Sequence, residues 1–181
     1  ELGSADLAIS NEVFIGGRVV TKSLKEIVNV SVNGETTSVH GVWDLVAPKN
    51  TDLKLEITKE LDDTKCITSG DALDALRLSV GLPTQAGTAS AFDFIAADFN
   101  QDGKITSGDA LEILKFSVGI PGSSIPEWVF LKSDGEVGAV TKNDVKYESA
   151  VAIDIGEVDS TVGFVGVLIG DVNGSYDLAI V

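Results

Sequence analysis

Apolar and polar residues alternate through residues 13–59, in short runs broken by turn residues. Val13-Phe14-Ile15-Gly16-Gly17-Arg18-Val19-Val20 is rich in β-branched side chains. Ile27-Val28-Asn29-Val30-Ser31-Val32 alternates up to an Asn33-Gly34 turn. Val39 to Val46, with Trp43, and Leu53-Lys54-Leu55-Glu56-Ile57 continue the period of two. Such runs, separated by Asn-Gly and proline turns, predict a small antiparallel β-sandwich.

The period then changes. Ala110-Leu111-Glu112-Ile113-Leu114-Lys115-Phe116 has apolar residues at helical spacing, and the same pattern occurs earlier in the chain. Ile67 to Pro83 maps onto Ile105 to Pro121 at a constant offset of 38, and both copies share I-T-S-G-D-A-L and a closing S-V-G. Each copy is predicted to be a helix ended by a glycine cap at Gly81 or Gly119. Ser90 to Ala97 predicts a short helix between them. After Pro121 and Pro126, which mark a linker, strands are predicted from Pro126, over Val151–Ile155 and over Val162–Ile169. The last is almost wholly apolar, so it must be buried on both faces. These tail strands are too few to stand alone and are predicted to pack on the N-terminal sandwich. The fold class is therefore α+β, organised as a sandwich over 1–59, a helical module over 60–122 and a β segment over 123–181.

The segment before the second helix carries the chemistry. Asp98, Asn100, Asp102, Thr106 and Asp109 fall at positions 1, 3, 5, 9 and 12 of a twelve-residue loop. Lys104 offers a backbone carbonyl at position 7, and Gly103 sits where the loop must bend. This is the spacing of an EF-type calcium loop. Calcium takes six to eight oxygens at about 2.3–2.6 Å, and carboxylates held this close repel one another without a cation. Ile105 is expected to point inward, where paired loops exchange a short strand contact. At the same offset the first copy presents Glu60, Asp62, Thr64, Cys66, Thr68 and Asp71. Thr64 stands in place of an acid and Lys65 in place of the glycine, leaving either a weaker calcium loop or a relic that folds without metal. Asp171-Val172-Asn173-Gly174-Ser175 starts like a third loop, and offers either a cation ligand or an Asx turn.

Composition narrows the partners. The formal charge of −15 argues against nucleic acid or an anionic membrane surface, and no apolar stretch is long enough to span a bilayer. One cysteine, Cys66, excludes an intrachain disulfide, and a single histidine, His40, in a polar turn, leaves little material for histidine-based catalysis. No G-x-S-x-G, H-E-x-x-H or P-loop occurs, so the chain is read as non-catalytic. No leader is visible at Glu1, and the lack of methionine points to a piece of a longer protein.

Two calcium loops in tandem, each followed by one helix, resemble a dockerin. The matching residues are D-F-N-Q-D-G-K-I-T-S-G-D-A-L at 98–111 and the degenerate copy at 60–73. The preceding strands resemble an X-module, or a carboxypeptidase-regulatory-like or Cna-B-like sandwich, of extracellular bacterial proteins. The resemblance implies Ca2+ as cofactor, a secreted or cell-surface location, and a cohesin-like protein domain as partner. It also implies a contact surface at Ser69, Gly70, Ser107 and Gly108, with Arg77 and Lys115 further along the helices. The glycines depart from the hydroxyl pairs common in cellulosomal dockerins. Two alternatives accompany this reading: a calcium-stabilised structural or self-associating domain, and, further off, an accessory domain of a polysaccharide-degrading enzyme.

Overall fold

The computed structural model describes residues 11–38, 40–61, 64–122, 124–134, 137–149 and 151–176. The chain is mixed α/β. Strands β1 (Glu12–Thr21), β2 (Ser31–Val32), β3 (Glu35–Thr36), β4 (Val42–Pro48), β5 (Thr51–Leu55) and β6 (Ile57–Thr58) come first. Helices α1 (Ser69–Ser79), α2 (Ala91–Ala97) and α3 (Ser107–Ser117) follow, then β7 (Trp128–Lys132), β8 (Val151–Ile155), β9 (Ser160–Thr161) and β10 (Phe164–Leu168).

Tail and N-terminal strands share hydrogen bonds, which goes further than the packing expected from sequence. The main sheet runs β4-β1-β10-β7, with β9 also on β1, and β8 pairs with β5 in register from Thr51↔Ile155 to Leu55↔Val151. Within residues 12–58 the pairings β1–β4, β2–β3 and β2–β6 are antiparallel, as expected, but β1 also pairs in parallel with the tail strands β10 and β9. A parallel neighbour needs a long crossover, and the whole chain between these strands supplies it. Gly17 permits the crossing: a Cβ there would meet the Val162 carbonyl oxygen at 1.8 Å.

The strand expected over residues 27–32 is mostly irregular. Only Ser31–Val32 pairs, in a hairpin whose turn residues Asn33 and Gly34 both have positive φ. Ile27 and Val30 are still fully buried, but their N–H groups go singly to the Val19 carbonyl and the Thr37 hydroxyl. Asn29, at φ 56°, bends the backbone out of a ladder.

β7 and β10 form a wall between two cores. Val129, Leu131, Leu168 and Ile169 join a cluster with Leu78, Ile95, Phe99, Ile105 and Ile113 of the helical module. Phe130 and Phe164 instead join Val13, Ile15, Val19 and Trp43. In β7 this split follows the alternation of strand side chains, and every residue of β10 is buried, as its apolar run requires.

The sequence repeat is repeated in hydrogen bonds. Thr68 and Asp71 form a capping box on α1, as Thr106 and Asp109 do on α3. Gly81 (φ +79°) and Gly119 (φ +73°) close the two helices. In each, the glycine N–H and the next N–H return to carbonyls of the last turn: Gly81 to Leu78 and Leu82 to Arg77, Gly119 to Phe116 and Ile120 to Lys115. These are paired Schellman ends.

Candidate metal loops and helix face

The sequence places Asp98, Asn100, Asp102, Thr106 and Asp109 at ligand spacing, and the fold gathers them around one turn. Asp98, which ends α2, accepts the Asp102 N–H at 3.2 Å on one oxygen and the Gly103 N–H at 2.9 Å on the other. Asn100 Oδ1 accepts the Asp102 N–H at 3.0 Å, and Asp102 Oδ1 accepts the Lys104 N–H at 3.0 Å. Asp109 reaches back across the loop, taking the Asn100 N–H at 3.2 Å on Oδ1 and the Thr106 N–H at 2.8 Å on Oδ2. Gly103 has φ +87°, which glycine adopts without a steric penalty. The available donors are carboxylate, amide, hydroxyl and carbonyl oxygens, the set that suits a hard cation such as calcium. Thr106 Oγ1 accepts the Gly108 N–H and donates to Asp109, which leaves one lone pair for an ion, directly or through water.

Burial raises the stakes at this loop. Asp98 is 2% exposed and Asp109 fully buried, and no ion pair reaches either among the described residues. Burial pushes the Asp98 carboxyl up to about 6, and the charges of Asp109 and Asp102 push the same way against the N–H donors of Gly103 and Asp102. Tyr147 is also raised, by burial and then by Asp98 and Glu127. A divalent cation would relieve this concentration of negative charge.

Ile105 is buried as expected, but its N–H goes to the Lys142 carbonyl at 2.7 Å, and the Gly103 carbonyl accepts from Val145. The Ile67 N–H goes to the Thr64 carbonyl. The short strand contact expected between paired loops is absent at these two N–H groups, because residues 142–145 occupy the edge of the second loop.

The first copy is arranged differently from its sequence offset. Glu60 is exposed, Thr64 half-buried, and Asp62 lies outside the described residues. Asp71 Oδ2 accepts the Thr68 N–H at 2.8 Å, as Asp109 does from Thr106. Its Oδ1 accepts at 2.9 Å from the N–H of Asn173, 102 residues away in sequence. Asp171 Oδ1 accepts the Ser175 N–H at 2.8 Å and Oδ2 the Tyr176 N–H at 3.0 Å, while Asn173 Oδ1 also accepts the Ser175 N–H. This matches Asp98 and Asn100 bond for bond. The Ser175 hydroxyl donates to the Cys66 carbonyl at 2.7 Å, the position that Lys104 holds in the other loop. Burial raises the carboxyls of both Asp71 and Asp171, the latter to about 6.

Among the residues expected to meet a partner, Ser69, Ser107 and Gly108 are exposed, whereas Gly70, Arg77 and Lys115 are half-buried. Arg77 folds back, its Nε donating to the Pro83 carbonyl at 2.7 Å. Sequence reading missed the more conspicuous feature of these helices. Leu73, Leu76, Val80 and Leu82 are exposed, and so are Leu111, Leu114, Val118 and Ile120, their counterparts at the repeat offset. The identical spacing of large apolar residues in the two copies was the available signal.

Elsewhere, His40 is an exposed turn residue whose ring Nδ1 lies 3.3 Å from Glu26. Among the described residues no group of three His, Cys, Asp or Glu side chains is placed to hold a metal ion, so a cation at either loop would also need amide, hydroxyl and carbonyl oxygens. No helix among them is long and apolar enough to cross a membrane. No protein-family model, curated protein or solved structure matches this chain.

Proposed function

We propose that this chain is a non-catalytic, calcium-dependent docking module of the dockerin type, belonging to a secreted or cell-surface protein. The observation that carries the reading is the loop at 98–109. Its Asp98, Asn100, Asp102 and Asp109 side chains and Lys104 carbonyl stand at EF-type spacing, with Asp98 and Asp109 buried and lacking any ion pair among the described residues. Calcium bound there would tie α2 to the start of α3. It would thereby fix the helix pair that carries the duplicated apolar face. That face, with Ser69, Ser107 and Gly108 at its rim, is the surface on which a cohesin-like protein domain would dock.

A second reading follows from the shared sheet. Because β8 and β10 hydrogen-bond to β5 and β1, calcium could act only to rigidify a structural or self-associating domain. The decisive experiment is sedimentation of the full chain in calcium and in EDTA, alone and with a panel of cohesin domains. A calcium-dependent complex with a cohesin supports docking; calcium-dependent self-association without one supports the structural reading. If calorimetry detects no calcium uptake and EDTA leaves the melting temperature unchanged, both readings fail.

A further inference from the structure

The loop at 98–109 is complete within one stretch of chain, whereas in its repeat partner the place of the front half beside Asp71 is taken by residues 171–176, whose Asn173 N–H meets Asp71 Oδ1. We propose that residues 171–176 supply that half, so that a second calcium-class cation is held by Asp71, Asp171, Asn173, Ser175 and the carbonyl of Cys66. The inference rests on the calcium reading of the first loop and goes beyond it, since it assigns a new site to residues that the repeat alone does not pair.

Three observations converge. The first is correspondence: Asp171, Asn173 and Ser175 stand to Asp71 as Asp98, Asn100 and Asp102 stand to Asp109, with each backbone N–H donating to the equivalent oxygen. The second is charge. Asp71 is fully buried and Asp171 is 7% exposed, yet neither has an ion pair among the described residues. The ammonium beside this segment, that of Lys22, is engaged by the Asp93 carboxylate and the Val172 carbonyl. Two buried carboxylates without a counter-ion are costly, and an oxygen-ligated cation removes that cost. The third is that the segment is held in place by contacts outside the loop. Gly170 (φ +100°) turns it off β10, with its N–H on the Ala96 carbonyl, and the Tyr176 ring packs edge-on against Trp128 at 4.8 Å.

A cation here would clasp the chain downstream of β10 to the start of α1. It would make the helical module and the β-sheet one cation-dependent unit. The test is a calcium titration of the full chain by calorimetry, with hydrogen exchange at Ser175 and Tyr176 as a second readout. The wild-type chain takes up two equivalents and Asp98→Ala one. In Asp98→Ala, calcium still protects the Ser175 and Tyr176 amides. Asp171→Ala also takes up one equivalent, and the double variant none. Asn173→Ala and Ser175→Ala, at less buried positions, keep the fold and weaken the second equivalent at least tenfold. If those two variants and Asp171→Ala all keep two tight equivalents, the split site is wrong while the 98–109 reading stands. The split site is equally wrong if the wild type takes up one equivalent that Asp98→Ala abolishes. A wild-type chain that takes up none overturns both.

Discussion

The loop at 98–109 and the loop built around Asp71 begin from the same sequence repeat and reach the same hydrogen-bond pattern by different routes. In the former, twelve consecutive residues turn on themselves, and Asp109 meets the N–H of Asn100 nine positions earlier. In the latter, Asp71 meets the N–H of Asn173, 102 positions later. The helix, its capping box and its Schellman end are common to both. What differs is the source of the front half. A local loop can form as soon as its own residues are ordered, whereas the discontinuous one requires β10 to be seated first. That makes it costlier in chain entropy and more dependent on the rest of the fold.

Calcium removal gives the largest effect that separates them. At a hundredfold excess over its Kd, each ion binding only the folded state adds about 2.7 kcal/mol. For a chain of this size that corresponds to roughly 5–10 °C in melting temperature per site. EDTA is expected to lower the wild-type melting temperature by the sum of the two contributions, and Asp98→Ala in calcium to lose only one. If Asp98→Ala already melts like the EDTA-treated wild type, the loop around Asp71 contributes nothing through calcium. Scanning calorimetry at fixed calcium measures the difference.

The capping threonines come next. Thr68→Ala and Thr106→Ala each remove an N-cap hydroxyl with matched partners, Gly70 or Gly108 and Asp71 or Asp109. Each should cost about 1 kcal/mol, and the two costs should agree in EDTA, since the caps are alike. Urea unfolding in EDTA and in calcium checks this. A larger cost for one variant in calcium alone identifies the loop whose ion depends more on its cap.

What the sequence makes legible follows the same division between local and distant. The loop at 98–109, both helices and both glycine ends depend on residues within a dozen positions of one another, and hydrophobic period and capping residues expose them. The parallel pairing of β1 with β10 depends on partners separated by most of the chain, and no local pattern encodes a parallel neighbour. The D-x-N-x-S string at 171–175 is visible in the sequence, but by itself it reads more readily as an Asx turn than as a ligand. The structure gives Asp171 the turn's hydrogen bonds and gives Asn173 a bond to Asp71. Nothing in the repeat's own spacing points to that meeting, because the offset rule directs attention to Glu60, Asp62 and Thr64. The exposed leucines of α1 and α3 escape notice for a related reason. Helical spacing signals a core face, and it does not distinguish the second apolar stripe that each helix also carries.

Proton competition offers a smaller and subtler comparison. Asp98 and Asp171 are both pushed up from an ordinary 3.8 to about 6 by burial, with nearby carboxylates adding to the shift. Each therefore binds a proton more tightly in the folded chain than in the unfolded one. Without calcium, stability should rise as pH falls from above 6 towards 4, and decline as pH rises through 6. With calcium the trend should reverse, because protons then compete with the ion for the same oxygens. Melting temperatures at pH 5 and pH 7, with and without calcium, test the sign. In Asp98→Asn the calcium-free trend should shrink but persist through Asp171.

The smallest effect on stability is expected where the two repeats look most alike, on the exposed faces of α1 and α3. Leu73 and Leu111 occupy equivalent positions, both exposed, so replacing them with aspartate buries no charge and opens no cavity. Surface changes of this kind usually stay within about 0.5 kcal/mol. Leu73→Asp and Leu111→Asp should thus melt within roughly 2 °C of the wild type and take up the same calcium. Their effect belongs to association. An apolar anchor converted to a charge at the centre of an interface loses its burial and leaves the charge to be desolvated, a penalty of several kcal/mol. If the face docks a partner, the variant altered at both leucines should lose calcium-dependent complex formation in sedimentation while retaining its fold and its ions. If complexes form undiminished, the apolar face is not the docking surface, and the exposed residues Ser69, Ser107 and Gly108 at the helix starts become the place to search. Running both single variants beside the double one shows whether the partner reads the two repeats equally or favours the one whose loop is continuous.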